Sequence, residues 1–242
     1  MKKCISFFIL SSTAIVLCLC LHACKLQNID PEAIDLGYDY YPLEIGRYVI
    51  YEEHDIIYDP AKITDTTYHV KELIHDSFTE GKEEKFTVYR FTKKTDESSW
   101  PLQPDSVWTV ARTANQLLRT ESNFQYIKLV FPVKEGKSWN GNAKNSAGEI
   151  TSSDKFYKMT NLDKPYTGIN GIVYPYTLKM TIANQSDPIV SKDIRYDMYA
   201  KGIGFIKKDY TIYYYKQETT FPPQTIDYGS RKIMEITSYG KE

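Results

Sequence analysis

The sequence predicts an all-β protein: an antiparallel curved sheet, a sandwich or an open barrel of roughly ten strands. Three observations carry this. Aromatic residues make up 14% of the 242-residue chain, and 21 of them are tyrosine. Tyrosine favours strands, where its ring packs while its hydroxyl stays wet. From Tyr40 onward, short stretches of period-two alternation recur between turn residues. No segment carries an apolar 3.6-residue pattern long enough for a major helix.

Taken in order, the alternation marks strands at Tyr48–Tyr51, Thr67–Ile74, Phe86–Phe91 and Val107–Ala111. It returns at Tyr126–Phe131, Ile172–Ile182, Arg195–Tyr199, Phe205–Tyr215 and Lys232–Tyr239. Glu80-Gly81-Lys82, Pro101–Pro104, Asn140-Gly141-Asn142 and Phe221-Pro222-Pro223 break the runs. Arg112–Arg119 is the stretch that could form a short helix. Gly202-Ile203-Gly204 reads as a strand-to-strand turn, because no third glycine and no helix follow to make a phosphate loop. Tyr41-Pro42-Leu43-Glu44-Ile45-Gly46-Arg47 echoes Phe131-Pro132-Val133-Lys134-Glu135-Gly136-Lys137. Both read as proline-bounded turns in which glycine supplies a conformation other residues resist. One turn type used twice is favoured over a duplicated half, since the rest of the halves does not align.

A charged fraction of 25% and a net charge of −1 fit a folded globular protein and exclude a disordered one. Without a basic excess there is no nucleic-acid partner to expect.

The four cysteines raise the sharpest question, since Cys18, Cys20 and Cys24 flank His22 in VLCLCLHACK. A metal cluster would need ionised thiols and a folded second shell, and this segment is unbroken apolar sequence. As a permanent membrane span, the run from Cys4 to Leu21 is just short of the usual length. The third reading is an export signal: the Lys2-Lys3 start, the apolar core and the small Ala23 are its features. Leu21-His22-Ala23-Cys24 resembles a bacterial lipobox, with leucine at −3, alanine at −1 and the cysteine to be modified; His22 departs from the usual small residue at −2. The resemblance implies cleavage between Ala23 and Cys24 and acylation of Cys24 with diacylglycerol and a fatty acid such as palmitate. Two or more acyl chains anchor stably where one does not.

The expected organisation is therefore a signal peptide over 1–23, a lipidated tether over 24–39 and a single β-rich domain over 40–242. With Cys4, Cys18 and Cys20 removed and Cys24 a thioether, the mature domain has no disulfide and relies on its core. Lysine follows Cys24 and no acidic run comes soon after, which in the resembling family favours the outer membrane over the inner one. The stretches YYPLEIGRYVIY, FPVKEGKSWNGN and YAKGIGFIKK also resemble uncharacterised exported lipoproteins of Bacteroidota-type bacteria. That resemblance implies an envelope address and a β-rich fold, and no activity.

Chemistry is sparse. His69 and His75 would share a face of one regular strand beside Asp76, and His54 sits among Glu52, Glu53 and Asp55, yet no pair has a recognised ligand spacing. These histidines are read as decoration of wet strand faces, with no metal and no cofactor. Ser152-Ser153-Asp154-Lys155 matches a Ser-x-x-Lys spacing, but its surroundings look like a hairpin and companion motifs are missing. Tyr210–Tyr215 places Ile212 and Tyr214 on one strand face and Tyr213 and Tyr215 on the other. Tyr213, Tyr215 and Trp139 are the candidate binding residues, for a sugar ring or a greasy groove. The expected function is a non-enzymatic envelope lipoprotein that binds a ligand or an envelope protein partner. The alternative is an envelope hydrolase acting on glycan or lipid through paired carboxylates.

Overall fold

The computed structural model describes residues 35–145, 156–217 and 225–242; Ala23, Cys24, the remainder of the leader and tether up to Ile34, and Ser152–Lys155 lie outside them. The described chain is all-β, as its alternation predicts. Twelve antiparallel strands form one curved sheet that closes almost completely into a barrel. They are β1 (Arg47–Tyr58), β2 (Ile63–Glu80), β3 (Glu83–Lys94), β4 (Ser106–Arg112), β5 (Gln116–Glu121) and β6 (Phe124–Val130). The second half comprises β7 (Ser138–Asn140), β8 (Phe156–Thr167), β9 (Val173–Asp187), β10 (Ser191–Ala200), β11 (Gly204–Tyr215) and β12 (Ile226–Lys241).

The strand order is β6-β5-β4-β3-β2-β1-β12-β11-β10-β9-β8-β7, two six-stranded meanders joined where β1 pairs with β12. The free edges, β6 and β7, meet in a narrow seam. There Ile127 N donates to Gly141 O at 2.8 Å, and Trp139 Nε1 donates to Ile127 O at 2.7 Å. This contact disposes of two exposed edges that would otherwise template aggregation.

The short helix that Arg112–Arg119 could form does not occur. Arg112 ends β4, residues 113–115 turn, and Gln116 begins β5. The Thr113 hydroxyl accepts from Gln116 N at 3.0 Å and closes a tight hairpin, and Leu117 is fully buried between strands. Three strands escape the period-two reading: β5, β7 and β8. In β8, Asn161 and Asp163 both adopt φ 55°, and these irregularities break the alternation that would have marked the strand. A bulge between Ile74 and Asp76 likewise removes the regular strand on which His69 and His75 would share a face.

The two echoing segments occupy equivalent places, one ahead of each meander. Gly46 (φ 87°) and Gly136 (φ 77°) sit in the left-handed region that favours glycine. In both turns the following base donates back three residues, Arg47 N to Glu44 O (3.3 Å) and Lys137 N to Lys134 O (3.1 Å). Each glycine N–H also bonds the second strand of its meander, at Ile74 O (2.8 Å) and Met159 O (2.9 Å). One turn device therefore starts both halves.

Because successive strands run up and down, their connections alternate between the barrel's ends. Leu36–Tyr41 closes the end that holds the 113–115, 131–137 and 201–203 turns. Val133 N donates to Leu36 O (3.1 Å) and Gly202 N to Asp39 O (2.8 Å). The Tyr38 hydroxyl donates to Ala114 O (2.9 Å), and Tyr40 and Tyr41 are buried in the core. The expectation that tyrosine hydroxyls stay wet does not hold here. Tyr51 donates to Phe205 O at 3.0 Å inside the barrel, and Tyr40 donates to Asp163 at 2.8 Å. Their polar tips find protein partners, which makes deep burial tolerable.

On the outer surface, the β8–β9 tip lies over β12. Glu235, 3% exposed, accepts there from Tyr166 OH (2.5 Å), Lys207 Nζ (2.8 Å) and Ile169 N (3.0 Å).

Candidate functional site

An eight-stranded barrel is just wide enough for side chains to fill, and wider barrels leave space. Twelve strands therefore enclose a lumen that apolar residues alone do not fill. Below, the core residues and the Leu36–Tyr41 plug occupy it. Across its middle, charges of alternating sign form a ladder around the wall.

The ladder begins with Lys232 Nζ between Asp55 (3.0 Å) and Glu53 (3.1 Å). Arg90 binds Glu53 at 2.8 Å and approaches Glu72 at 3.5 Å, and Arg119 binds the same Glu72 oxygen at 2.7 Å. Arg119 Nε then lies 3.0 Å from Glu121, in charge contact without hydrogen-bond alignment. Lys128 bridges Glu121 (3.4 Å) and Asp197 (3.6 Å). Trp108 packs against both guanidinium groups, its ring 5.2 Å from Arg90 and 4.9 Å from Arg119. Tyr41 reaches up from the plug and accepts from Arg119 at 3.0 Å.

Burial pushes the Glu121 carboxyl up, but Lys128 and Arg119 outweigh it and hold it below the usual carboxylate range. Glu53 behaves the same way, with Arg90 and Lys232 overcoming its burial. Asp197 is 1% exposed, and neither of its oxygens accepts a hydrogen bond from the protein. Its ion-pair partner among the described residues is the Lys128 ammonium, at 3.6 Å.

Above the ladder a cavity of about 210 Å³ opens toward the end opposite the plug. Its floor is Glu121, Lys128 and Lys208; Arg195 and Asn142 stand in its wall, with Phe124, Tyr126, Tyr157 and Tyr210 as aromatic surfaces. Beneath the same three floor residues lies a void of about 20 Å³ against Asp197 and Trp108, room for one water. Arg195 is held by a bidentate pair with Asp193 (2.7 and 2.8 Å). Lys208 differs: among the described residues it makes no ion pair, and its Nζ lies 5.0 Å over the Tyr210 ring. Burial pushes its ammonium pKa down, although Glu121 and Asp197 partly restore it.

The sequence-predicted candidates lie elsewhere and are not brought together. Tyr213 packs edge-on to Tyr58 at 5.2 Å, and burial pushes its hydroxyl pKa up to about 12, with a hydrogen bond to Tyr58 adding to the shift. Tyr215 N donates to Val190 O at 3.0 Å near the β9–β10 turn. Trp139 closes the seam, edge-on to Tyr157 at 5.9 Å. None of the three lines the cavity. His54 contacts Asp65 at 2.6 Å, His75 stacks on Tyr89 at 4.0 Å, and among the described residues no three metal-ligating side chains gather.

Sequence reasoning missed the lumen residues, although a signal was present. In Val70-x-Glu72-x-Ile74 and Tyr126-x-Lys128-x-Val130 a charge stands in register with inward apolar residues. A charge at a buried parity position points to an internal partner.

No protein-family model matches the chain, and no curated protein matches it. Among solved structures, the chain is similar to a protein from Bacteroides fragilis NCTC 9343 described as exported and of YmcC-like fold. Identity is 9% and the TM-score 0.41, over 83% of this chain and 98% of that one. It is also similar to a protein from Parabacteroides distasonis ATCC 8503 described as a lipoprotein, at 8% identity and TM-score 0.39, over 83% and 98%.

Proposed function

We propose that this chain is a lipid-anchored lipoprotein of the bacterial outer membrane whose barrel binds a small polar ligand at its open end, without catalysing a reaction. The observation that carries the binding half is the 210 Å³ cavity floored by Lys128, Lys208 and Glu121. Concave sites with a few convergent polar groups are the usual place for small ligands. The anchoring half rests on the Leu21-His22-Ala23-Cys24 sequence. Binding is favoured over glycan hydrolysis by the electrostatics of the lumen. Hydrolysis needs one carboxyl kept protonated near neutral pH, and the surrounding bases hold Glu53 and Glu121 in the opposite direction.

Two measurements test this. Labelled palmitate should enter the wild-type chain but not Cys24→Ser, and that variant should leave the membrane fraction; retention in membranes would refute the anchor. Native mass spectrometry of the detergent-extracted full chain should find a bound small molecule. Ile182→Trp, placed in the cavity wall, should lose it. An empty wild-type protein would sink the binding half.

A further inference from the structure

The cavity's dimensions limit its occupant. About 210 Å³ at the barrel's open end takes a single ring with a few substituents. The lining is also mixed. Phe124 and Tyr126 form one continuous aromatic wall, with ring centroids 6.3 Å apart and 27° between planes, and Tyr210 adds a further face.

Charge narrows the class. The lining carries three bases, Lys128, Arg195 and Lys208, against one acid, Glu121. Glu121 is already engaged by Arg119 and Lys128, Arg195 by Asp193, and Lys128 is shared between two carboxylates. Lys208 makes no ion pair among the described residues, and the carboxylates that act on it, Glu121 and Asp197, are both already engaged by Lys128. A cationic ligand would meet the Lys208 and Lys128 ammonium groups, and a neutral one would leave the buried Lys208 ammonium without a carboxylate in direct contact. A divalent anion would bring two charges to one unpaired ammonium.

We infer that the occupant is a small ring-bearing monocarboxylate, its carboxylate meeting Lys208 and its ring lying among Phe124, Tyr126 and Tyr210. This rests on the proposal that the cavity is a binding site. Aromatic acids and sugar acids share this chemistry. The downward push that burial exerts on the Lys208 pKa accords with it, because a carboxylate in direct contact favours the ammonium form that burial disfavours.

The test is calorimetric titration of the detergent-solubilised full chain with benzoate and glucuronate, and with their neutral counterparts benzyl alcohol and glucose. At least one acid should bind about tenfold or more tightly than its neutral counterpart, the loss expected for one charged hydrogen bond. Which acid binds separates an aromatic acid from a sugar acid. Lys208→Met should weaken that acid by about tenfold. Lys208→Arg should retain binding. Phe124→Ala should weaken the ring acid, whereas inorganic phosphate should bind neither protein. Equal binding of acid and neutral compound, indifference to Lys208→Met, or tight phosphate binding overturns the inference. If both acids fail while mass spectrometry still finds a molecule that Ile182→Trp loses, this ligand class is wrong and the binding site stands. If mass spectrometry finds none, both readings fall.

Discussion

Replacing Arg119 with methionine removes the central rung of the charge ladder while keeping the volume of an unbranched side chain. Arg119 is 5% exposed and satisfies three neighbours at once: Glu72 at 2.7 Å, Glu121 at 3.0 Å and Tyr41 at 3.0 Å. Glu121 keeps Lys128 at 3.4 Å, but Glu72 is left with Arg90 at 3.5 Å. Removing one partner of a buried ion pair costs about 3–5 kcal/mol, because the remaining charge stays desolvated. For a domain of this size that lowers the melting temperature by about 6–20 °C. The Glu72→Met, Arg119→Met double variant removes both charges, so it should lose less than the sum of the singles, by about 0.5–3 kcal/mol. Urea unfolding followed by far-ultraviolet circular dichroism measures both effects. A single-variant loss below about 1 kcal/mol, or strict additivity in the double, would refute the view that the ladder is a coupled, desolvated network.

Acid should unfold the barrel through the same residues. Glu53 and Glu121 have folded pKa values below their ordinary 4.5, so the unfolded chain binds more protons than the folded one. Their contribution is complete above that value and is lost as the pH falls below it; a melting temperature unchanged between pH 6 and pH 3 would count against this. At the seam, Gly141→Ala would place a methyl 2.1 Å from the Tyr157 ring, and overpacking of this kind costs about 1–3 kcal/mol. Gly141 also accepts from Ile127 N, so the Ile127 amide should exchange faster with deuterium while the β1–β12 ladder keeps its protection. Equal exchange at both places would show that the seam does not behave as the weak closure of the barrel.

Legibility along the chain followed the range of the forces involved. Strands such as Phe86–Phe91 and Val107–Ala111 were readable because a half-buried antiparallel strand writes its two faces into alternating residues. The Gly46 and Gly136 turns were readable because a positive φ selects glycine. β5 was misread at Arg112–Arg119, where Arg119 stands at an inward position among leucines and disguises a strand as an amphipathic helix. β8 was lost to the left-handed Asn161 and Asp163.

The site itself was the least legible part. Glu121, Lys128, Asp197 and Lys208 come from four strands, β5, β6, β10 and β11, and no short spacing connects them. The aromatic residues conspicuous in the sequence, Tyr213, Tyr215 and Trp139, have local partners near the β9–β10 turn or at the seam.

By itself, the sequence determined the all-β class and the turn chemistry, because each depends on neighbours a few residues apart. The closure of the barrel, the pairing of buried acids with their bases and the placement of Lys208 in the cavity floor were decided by tertiary structure. Those depend on which distant strands face one another across the lumen, and on how much space twelve strands leave between them.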